Sequence, residues 1–178
     1  MALLSTPARA DSDPICNDSA VGGTECGTDS TAADFATAVG NTATASGEGS
    51  VAVGASATAE GFVAVAIGNA AFAPADNATA IGFLAQATGI GSTATGAGAL
   101  AEGENSVANG INAAANGLGA VAVGANSSAT LAGNIAIGNN AQATGLQSVA
   151  FGEDAVASAT HTVALGSLAT ATGIGSTA

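Results

Sequence analysis

The chain has 178 residues, of which 26 are glycine and five are phenylalanine, with no tryptophan or tyrosine. Its 13 acidic residues face one basic residue, for a formal net charge of −12, while the mean hydropathy is +0.46. So acidic a surface repels nucleic acid and anionic membranes, which argues against a nucleic-acid-binding protein. No apolar stretch reaches membrane-spanning length without glycine or polar residues.

Residues 1–34 form an acidic segment that we treat as an N-terminal cap. It contains Arg9, the single basic residue, and six of the 13 acids. The apolar run at residues 1–4 is too short for the core of a signal peptide. We predict that this segment covers the first strand of the repeats that follow, because an open strand edge invites the addition of foreign strands.

Both cysteines of the chain, Cys16 and Cys26, lie in this segment. Glycines at 22, 23 and 27 lie between and beside them, which favours a small loop closed by a disulfide. A disulfide would indicate an oxidising, extracytoplasmic compartment. Two free thiols are the alternative; a metal site is disfavoured because no histidine or further cysteine lies near.

From residue 35 to 178 the sequence repeats every fourteen residues, which gives about ten coils in one domain. Ten glycines keep this spacing without a slip: Gly40, Gly54, Gly68, Gly82, Gly96, Gly110, Gly124, Gly138, Gly152 and Gly166. We call them the ladder glycines. A fixed short period of this kind is the signature of a solenoid.

Each unit reads Ser-Val-Ala-Val-Gly, two variable residues, Ala-x-Ala-x-Gly and two more variable residues. The alternation with period two predicts two short strands, and the glycines supply backbone positions for sharp turns. The sequence therefore predicts an all-β fold, a parallel β-roll solenoid of 14-residue coils. The second glycine of the unit is replaced at Ala75, Leu131 and Ala159, so we expect that turn to tolerate a Cβ atom.

The alternation also suggests which side chains lie inside. We expect the branched residues one and three places before each ladder glycine, such as Val51 and Val53, to fill the interior opposite Ala57 and Ala59. The alanine two places before each ladder glycine then faces outward. Such a thin core needs further burial, so we predict that this row packs against identical chains. The row comprises Ala38, Ala52, Ala66, Ala80, Ala94, Ala108, Ala122, Ala136, Ala150 and Ala164.

Some coils depart from the pattern. Thr93, Thr95 and Asn109 occupy the expected interior positions, and the Asn109 amide is interpreted either as satisfied by the backbone or as part of a ligand site. Pro74 cannot donate a ladder hydrogen bond, so we expect a local break or bulge in its strand.

Catalytic and metal-binding constellations are absent from the sequence. His161 is the only histidine, and it occupies a turn position held by Asn77 and Asn105 in other coils. One isolated histidine makes neither a catalytic triad nor a zinc site. We therefore expect neither enzymatic activity nor a cofactor or metal.

The repeats resemble a known family. Ser50-Val51-Ala52-Val53-Gly54 and its counterparts at 106–110 and 148–152, each followed by an alanine-rich half, are similar to the head repeats of trimeric autotransporter adhesins of the YadA-like type. The resemblance implies a left-handed β-roll, a homotrimer packed about a common axis, and display on the outer membrane of a Gram-negative bacterium. It also implies that the Val and Ile side chains lie inside and that the alanine row faces the partner chains.

The family's neck, coiled-coil stalk and C-terminal membrane anchor have no counterpart here, so the sequence reads as a head fragment whose link to a membrane would be that absent anchor. Heads of this family bind host matrix proteins such as collagen, fibronectin or laminin. We therefore predict an adhesin head that attaches bacteria to host cells or matrix. A structural spacer or self-association module without its own ligand site is the alternative, and an ice-binding solenoid is disfavoured because the threonine ladder is broken.

Overall fold

The computed structural model describes residues 16–18 and 22–178, which form 23 short β-strands in two sheets. Sheet A contains the longer strands: β1 (Cys16–Asp18), β2 (Thr24–Cys26), β4 (Thr37–Val39), β6 (Val51–Val53), β8 (Val65–Ile67), β10 (Thr79–Ile81), β12 (Thr93–Thr95), β14 (Val107–Asn109), β16 (Val121–Val123), β18 (Ile135–Ile137), β20 (Val149–Phe151) and β22 (Val163–Leu165). Each strand of sheet A pairs with the strand one coil away.

Sheet B contains the two-residue strands β3 (Thr31–Ala32), β5 (Thr44–Ala45), β7 (Thr58–Ala59), β9 (Phe72–Ala73), β11 (Gln86–Ala87), β13 (Leu100–Ala101), β15 (Ala114–Ala115), β17 (Ser128–Ala129), β19 (Gln142–Ala143), β21 (Val156–Ala157) and β23 (Thr170–Ala171). The chain alternates between the sheets, and every turn of the chain places one strand in each. From β2 onward all pairing is parallel, as the sequence predicts for a solenoid.

The register repeats every fourteen residues, so identical positions stack: Val51 lies opposite Val65, and Ala52 opposite Ala66. Strand spacing in a sheet is about 4.8 Å, so the coils from β4 to β22 make a rod roughly 45 Å long. Two-residue turns join the strands on both sides of each coil. The predicted all-strand parallel solenoid with 14-residue coils is confirmed.

The ladder glycines are fixed by backbone conformation and by close stacking. Gly54 has φ +134°, a value that L side chains rarely adopt. A Cβ atom placed on it would lie 2.5 Å from the carbonyl oxygen of Gly68 in the next coil. Gly61, in the second turn, has no positive φ, but its Cβ atom would collide with the backbone of Ala75. Both glycine rows therefore let neighbouring coils approach closely, and the expectation that the second turn tolerates a Cβ atom is wrong at Gly61.

The interior is lined by alanine on both walls, which corrects the predicted inside–outside assignment. Ala52 and every other member of the alanine row from Ala38 to Ala164 are 0% exposed within a single chain. They therefore cannot contact a partner chain. Val51 and Val53 point outward and are half-buried, because adjacent side chains of a strand point to opposite faces.

The narrow coil explains why alanine, and not valine, lies inside. Ser50, Ala52, Ala57 and Ala59 fill the cross-section of one coil, and all four are fully buried. The largest fully buried side chains in the described part of the chain are Asn134 and Thr162. A coil that closes after fourteen residues leaves methyl-sized space at the alanine positions, so the Val and Ile side chains of sheet A lie on the outer face.

The solenoid begins earlier than the predicted boundary at residue 35. Strands β2 and β3 pair in parallel with β4 and β5, so residues 24–36 form a first coil. The spacing here is thirteen residues, as in the pairing of Thr24 with Thr37. Gly27 takes the place of a ladder glycine, with φ +139°. A one-residue deletion in the second turn hides this coil from a search at period fourteen.

Strand β1 lies antiparallel on β2 and covers the first edge of sheet A. Cys16 and Cys26 lie opposite each other in this pair and are joined by a disulfide. Residues 1–15 and 19–21 of the predicted cap, including Arg9, lie outside the described residues, whereas residues 24–34 belong to the first coil.

Glu25 caps the first edge of sheet B. It occupies the position held by alanine in later coils, as its pairing with Ala38 shows. Its carboxylate accepts a hydrogen bond of 2.8 Å from the backbone N–H of Ala32, where later coils have a strand carbonyl. Sequence reasoning missed this role because it assigned Glu25 to the cap rather than to a coil.

Pro74 shortens the ladder without breaking the solenoid. Strands β9 and β11 share one residue pair, Gln86 with Phe72, where neighbouring strands of sheet B share two. The chain continues into the next coil with the usual pairing in sheet A. The expected break or bulge is wrong: β9 keeps its two residues, and the effect of Pro74 is the loss of one residue pair.

Candidate functional site: the faces and edges of the rod

Within residues 16–18 and 22–178, no group of three or more His, Cys, Asp or Glu side chains could hold a metal ion. The same residues contain no helix long and apolar enough to cross a membrane. The outer faces of the two sheets and the turns between them carry the exposed side chains of the described chain.

The outer face of sheet A is a ladder of branched apolar side chains. We call it the valine face and define it as Thr37, Val39, Val51, Val53, Val65, Ile67, Thr79, Ile81, Thr93, Thr95, Val107, Asn109, Val121, Val123, Ile135, Ile137, Val149, Phe151, Val163 and Leu165. Parallel register stacks these residues in two rows along the rod. All are half-buried or exposed in the single chain.

The valine face stacks apolar side chains along most of the rod, from Val39 to Leu165. Contiguous exposed apolar patches beyond a few hundred Å² are rare on soluble monomers and mark interaction sites. Ile67, Ile81, Phe151 and Leu165 are among the exposed large apolar side chains. The face therefore has the properties of a contact surface that a single chain leaves uncovered.

A polar stretch interrupts the valine face near its middle. Thr93, Thr95 and Asn109 lie here, on the outer face rather than in the interior as predicted. Asn109 is exposed and pairs with Thr95 on one side and Val123 on the other. Neither predicted role of Asn109 in the coil interior applies.

The interior asparagine is Asn134 instead. Its side-chain nitrogen donates a 2.7 Å hydrogen bond to the carbonyl oxygen of Ala143, and its oxygen accepts a 3.1 Å bond from the N–H of Ser148. Asn134 thereby links the two walls of one coil and the next coil. Asn134 occupies the repeat position that Ser50 holds in its own coil. This replacement of serine by asparagine is the sequence signal that could have identified the interior amide.

The outer face of sheet B has a different chemistry. We call it the polar face and define it as Thr44, Ser46, Thr58, Glu60, Phe72, Pro74, Gln86, Thr88, Leu100, Glu102, Ala114, Asn116, Ser128, Thr130, Gln142, Thr144, Val156, Ser158, Thr170 and Thr172. Asn116 donates a 2.6 Å hydrogen bond to the Glu102 carboxylate one coil away. Its hydroxyl, amide and carboxylate groups suit contact with water or a polar partner.

Two-residue turns flank the valine face on either side. The trailing edge follows each long strand and comprises residues 41–42, 55–56, 69–70, 83–84, 97–98, 111–112, 125–126, 139–140, 153–154 and 167–168. The leading edge precedes the long strand of the next coil and comprises 48–49, 62–63, 76–77, 90–91, 104–105, 118–119, 132–133, 146–147, 160–161 and 174–175.

Polar side chains form short ladders along these edges. Asn140 donates to Asp154 at 3.1 Å, and Asn112 donates to Asn126 at 3.4 Å. The Nε2 atom of His161 lies 2.8 Å from the Gln147 side-chain oxygen. His161 is exposed with φ +57°, so it is a turn residue in the described chain, as the sequence analysis expected.

Comparison with known families identifies the repeats. The model of the YadA head domain repeat matches residues 32–57, 59–85, 73–99, 87–113, 101–127, 135–155 and 157–178. These segments together cover more than half of the chain. The chain belongs to the YadA head domain repeat family. It is an adhesin-type head domain, and both its family and its fold are those of an adhesin rather than an enzyme.

A solved structure supports the assignment. The collagen-binding domain of the Yersinia adhesin YadA matches with 30% sequence identity and a TM-score of 0.55. The match covers 74% of this chain and 66% of that one, so this head spans slightly less than two thirds of the YadA chain. No curated protein matches this sequence.

Proposed function

We propose that this chain is the head of a bacterial surface adhesin that attaches cells to host tissue or extracellular matrix. The observation that carries the proposal is the family match along most of the repeats, together with the 30% identity to a collagen-binding adhesin domain. The contrast between an apolar and a polar outer face supports it. One face suits assembly and leaves the other available for a ligand.

The assembly we propose is a homotrimer in which the three valine faces meet around a common axis. This replaces the alanine row, which is sealed inside each chain. Burying an apolar face in this way stabilises by about 25 cal/mol per Å² removed from water, before the entropic cost of association. The trimer compensates for an interior built largely from methyl groups.

In this assembly the polar face, with the exposed carboxylates of Glu60 and Glu102, points away from the axis. The repeat region has no lysine or arginine, so its acids have no basic neighbours along the chain. Such a surface suits a basic, extended matrix protein, of which collagen is our first candidate and fibronectin and laminin are the others. Affinity would come from many weak contacts on three chains acting together.

The test is binding of the purified head to immobilised collagen, fibronectin and laminin, measured by surface plasmon resonance at two salt concentrations. We expect concentration-dependent binding to collagen that weakens at higher salt, because the acidic surface contributes electrostatic attraction. An unrelated acidic protein of similar size serves as the control. Absence of binding to all three matrix proteins would contradict the proposal.

A spacer or self-association module remains the second candidate function. It is favoured by the scarcity of aromatic residues and arginine, since these residues dominate strong binding hot spots. A spacer would hold its trimer but bind no matrix protein, and beads coated with the head would clump with one another if it self-associates. The same purified protein therefore separates the two functions.

The location we propose is the surface of a Gram-negative bacterium, with the head outside the outer membrane. The disulfide between Cys16 and Cys26 supports an oxidising, extracytoplasmic compartment. Antibodies against the purified head should label intact cells of the producing bacterium, and protease treatment of those cells should remove the signal. Labelling that requires permeabilised cells would contradict this location.

A further inference from the structure

The two edges that flank the valine face carry matched side chains, coil by coil. In each of the three coils where the trailing edge has a bulky apolar residue, the leading edge of that coil has one too. The pairs are Phe83 with Ile90, Ile111 with Leu118, and Leu168 with Ile174. All six side chains are exposed in the single chain, so nothing within the chain covers them.

One of the ten regular coils also carries a charged pair on its two edges. Among the ten regular coils, Glu153 and Asp154 are the trailing-edge acids, and the leading edge of their coil carries His161, the only histidine. The two remaining coils with an apolar leading edge place Ala55 opposite Phe62 and Asn139 opposite Leu146. Small or polar side chains thus accompany the apolar edge in those coils, and no acid does.

Rotational symmetry explains why opposite edges of one chain should match. Every long strand of sheet A runs across the rod from its leading to its trailing edge. When valine faces surround an axis parallel to the rod, all chains run in the same sense around it. The trailing edge of one chain then meets the leading edge of the next. Because the ring closes, no chain can be shifted along the axis relative to its neighbours.

We propose that the trailing edge of each chain packs against the leading edge of the next copy. Each trailing-edge turn meets the neighbour's copy of the leading-edge turn that follows it in the sequence. This inference rests on the proposed trimer and extends it, since it assigns a second, heterologous contact outside the valine face. Phe83, Ile111 and Leu168 pack on Ile90, Leu118 and Ile174 of the neighbouring copy. Glu153 and Asp154 face the neighbour's copy of His161.

The chemistry selects this pairing over the one displaced by a single coil. The chain rises about 4.8 Å along the rod axis with each coil. Each trailing-edge turn therefore lies at a height about midway between two leading-edge turns of the neighbouring chain. Displacement by one coil would place Phe83 against Asp76 and Ile111 against Glu104. Desolvating a carboxylate against an apolar side chain is costly, which makes the displaced arrangement the disfavoured one.

Paired cysteines test the contact directly. Ile111 and Leu118 are 59% and 58% exposed, so the variant Ile111→Cys with Leu118→Cys leaves the interior untouched. The two positions lie on opposite edges of one chain, separated by the extended residues 113–116 around β15, about 13 Å, too far for a disulfide within the chain. Oxidation by air with copper phenanthroline should link neighbours and close a ring, which gives a covalent trimer on a non-reducing gel.

The matched control is Ile111→Cys with Glu104→Cys, which tests the displaced pairing through another exposed leading-edge residue. We expect its trimer yield to be at least roughly fivefold lower, because a disulfide needs a Cα–Cα distance of about 4.4–6.8 Å. Equal yields, or a higher yield for the control, would overturn the same-coil contact.

Native mass separates the failure of this contact from the failure of the proposed trimer. Light scattering is measured on both cysteine variants before oxidation. Monomers would mean that the trimer itself is wrong, whereas a trimer that does not cross-link through positions 111 and 118 would overturn only the edge contact.

A charge variant provides an independent measurement. His161→Glu places like charges on the two edges of one coil, whereas His161→Asn installs the residue found at Asn77 and Asn105. We expect His161→Glu to raise the concentration of half-dissociation roughly tenfold relative to His161→Asn. Equal dissociation of the two variants would contradict the contact between Glu153, Asp154 and His161.

Discussion

The two outer faces of the rod stand on the same interior yet carry different chemistry. In sheet A the outward residues beside Ala136 are Ile135 and Ile137, while in sheet B the residues beside Ala143 are Gln142 and Thr144. The alanine interior decides which positions point outward but not what they carry. Outward residues therefore differ in what they can contact, and we propose that sheet A meets a partner chain while sheet B meets water or a polar ligand.

This contrast assigns stability to two sources. The alanine interior, with backbone ladders running through every coil, defines the path of a single chain. The larger apolar side chains of sheet A lie outside this interior, and part of their surface stays exposed in the single chain. Their burial requires another chain, so the folded coil and the assembled rod should respond to different substitutions.

The largest effect should come from a charge on the valine face. Ile135→Asp would place three carboxylates in an apolar contact around the axis, and an unpaired buried charge costs several kcal/mol. We expect the trimer to dissociate to monomers in sedimentation velocity at micromolar protein. The control, Gln142→Asp, adds the same charge to the polar face of the same coil and should leave the trimer intact.

Equal behaviour of these two variants would remove the distinction between the faces. Loss of assembly in both would point to a general effect of added negative charge. Retention in both would mean that the valine face is not the contact surface.

A smaller effect tests the inside–outside assignment within one strand. Ala114 and Ala115 are neighbours in β15, but Ala114 points outward and Ala115 is fully buried. Ala115→Val should destabilise by about 2–3 kcal/mol, since extra methyl groups strain a closely packed interior. Ala114→Val should change stability by less than about 0.5 kcal/mol.

Urea unfolding of both variants at one protein concentration measures this difference, because assembly makes apparent stability concentration-dependent. A larger loss for Ala114→Val than for Ala115→Val would mean that the strand faces the opposite way.

The polar stretch of the valine face offers a gain of stability. Asn109→Val restores the residue type found at Val123 and Val53 in the same row. We expect the trimer to gain about 1 kcal/mol per chain, because a branched apolar side chain replaces an amide in an apolar contact. Thermal unfolding should shift upward, and a downward shift would show that Asn109 makes a contact of its own in the assembly.

The smallest effect should come from the polar face. Asn116→Ala removes the hydrogen bond to the Glu102 carboxylate, but both groups are exposed and water replaces the bond. We expect a change of about 0.5 kcal/mol or less in urea unfolding, and an unchanged trimer. A loss as large as that of Ala115→Val would mean that the polar face, too, holds the rod together.

Much of this fold could be predicted from the sequence because its signals are local and repeated. The ladder glycines fix the turns, and the alternation around Ala52 fixes the strands. Gly54 shows why the period is strict: its positive φ and its closeness to Gly68 leave no space for a side chain.

The inside–outside assignment could not be obtained from the alternation alone. A period of two separates Ala52 from Val51 and Val53, but it does not say which set faces inward. The general preference of valine for interiors suggested the wrong answer here. The correct assignment follows from the dimensions of a coil that closes after fourteen residues, a property of the assembled turns and not of any one strand.

The first coil was missed for a different reason. Glu25 replaces the alanine of the row, Cys26 replaces the valine, and the distance from Gly27 to Gly40 is thirteen residues. Each change is tolerated because this coil has a neighbour on one side and β1 on the other. The first coil of this solenoid departs from the fourteen-residue repeat, so periodicity alone underestimates the number of coils.

The most direct test of the account is the native mass of the purified chain, measured by light scattering over a range of concentrations. We predict a stable species of three times the 16.2 kDa chain mass, held together by the valine face. A well-folded monomer at all concentrations would contradict the account, since it would leave that long apolar face exposed to water.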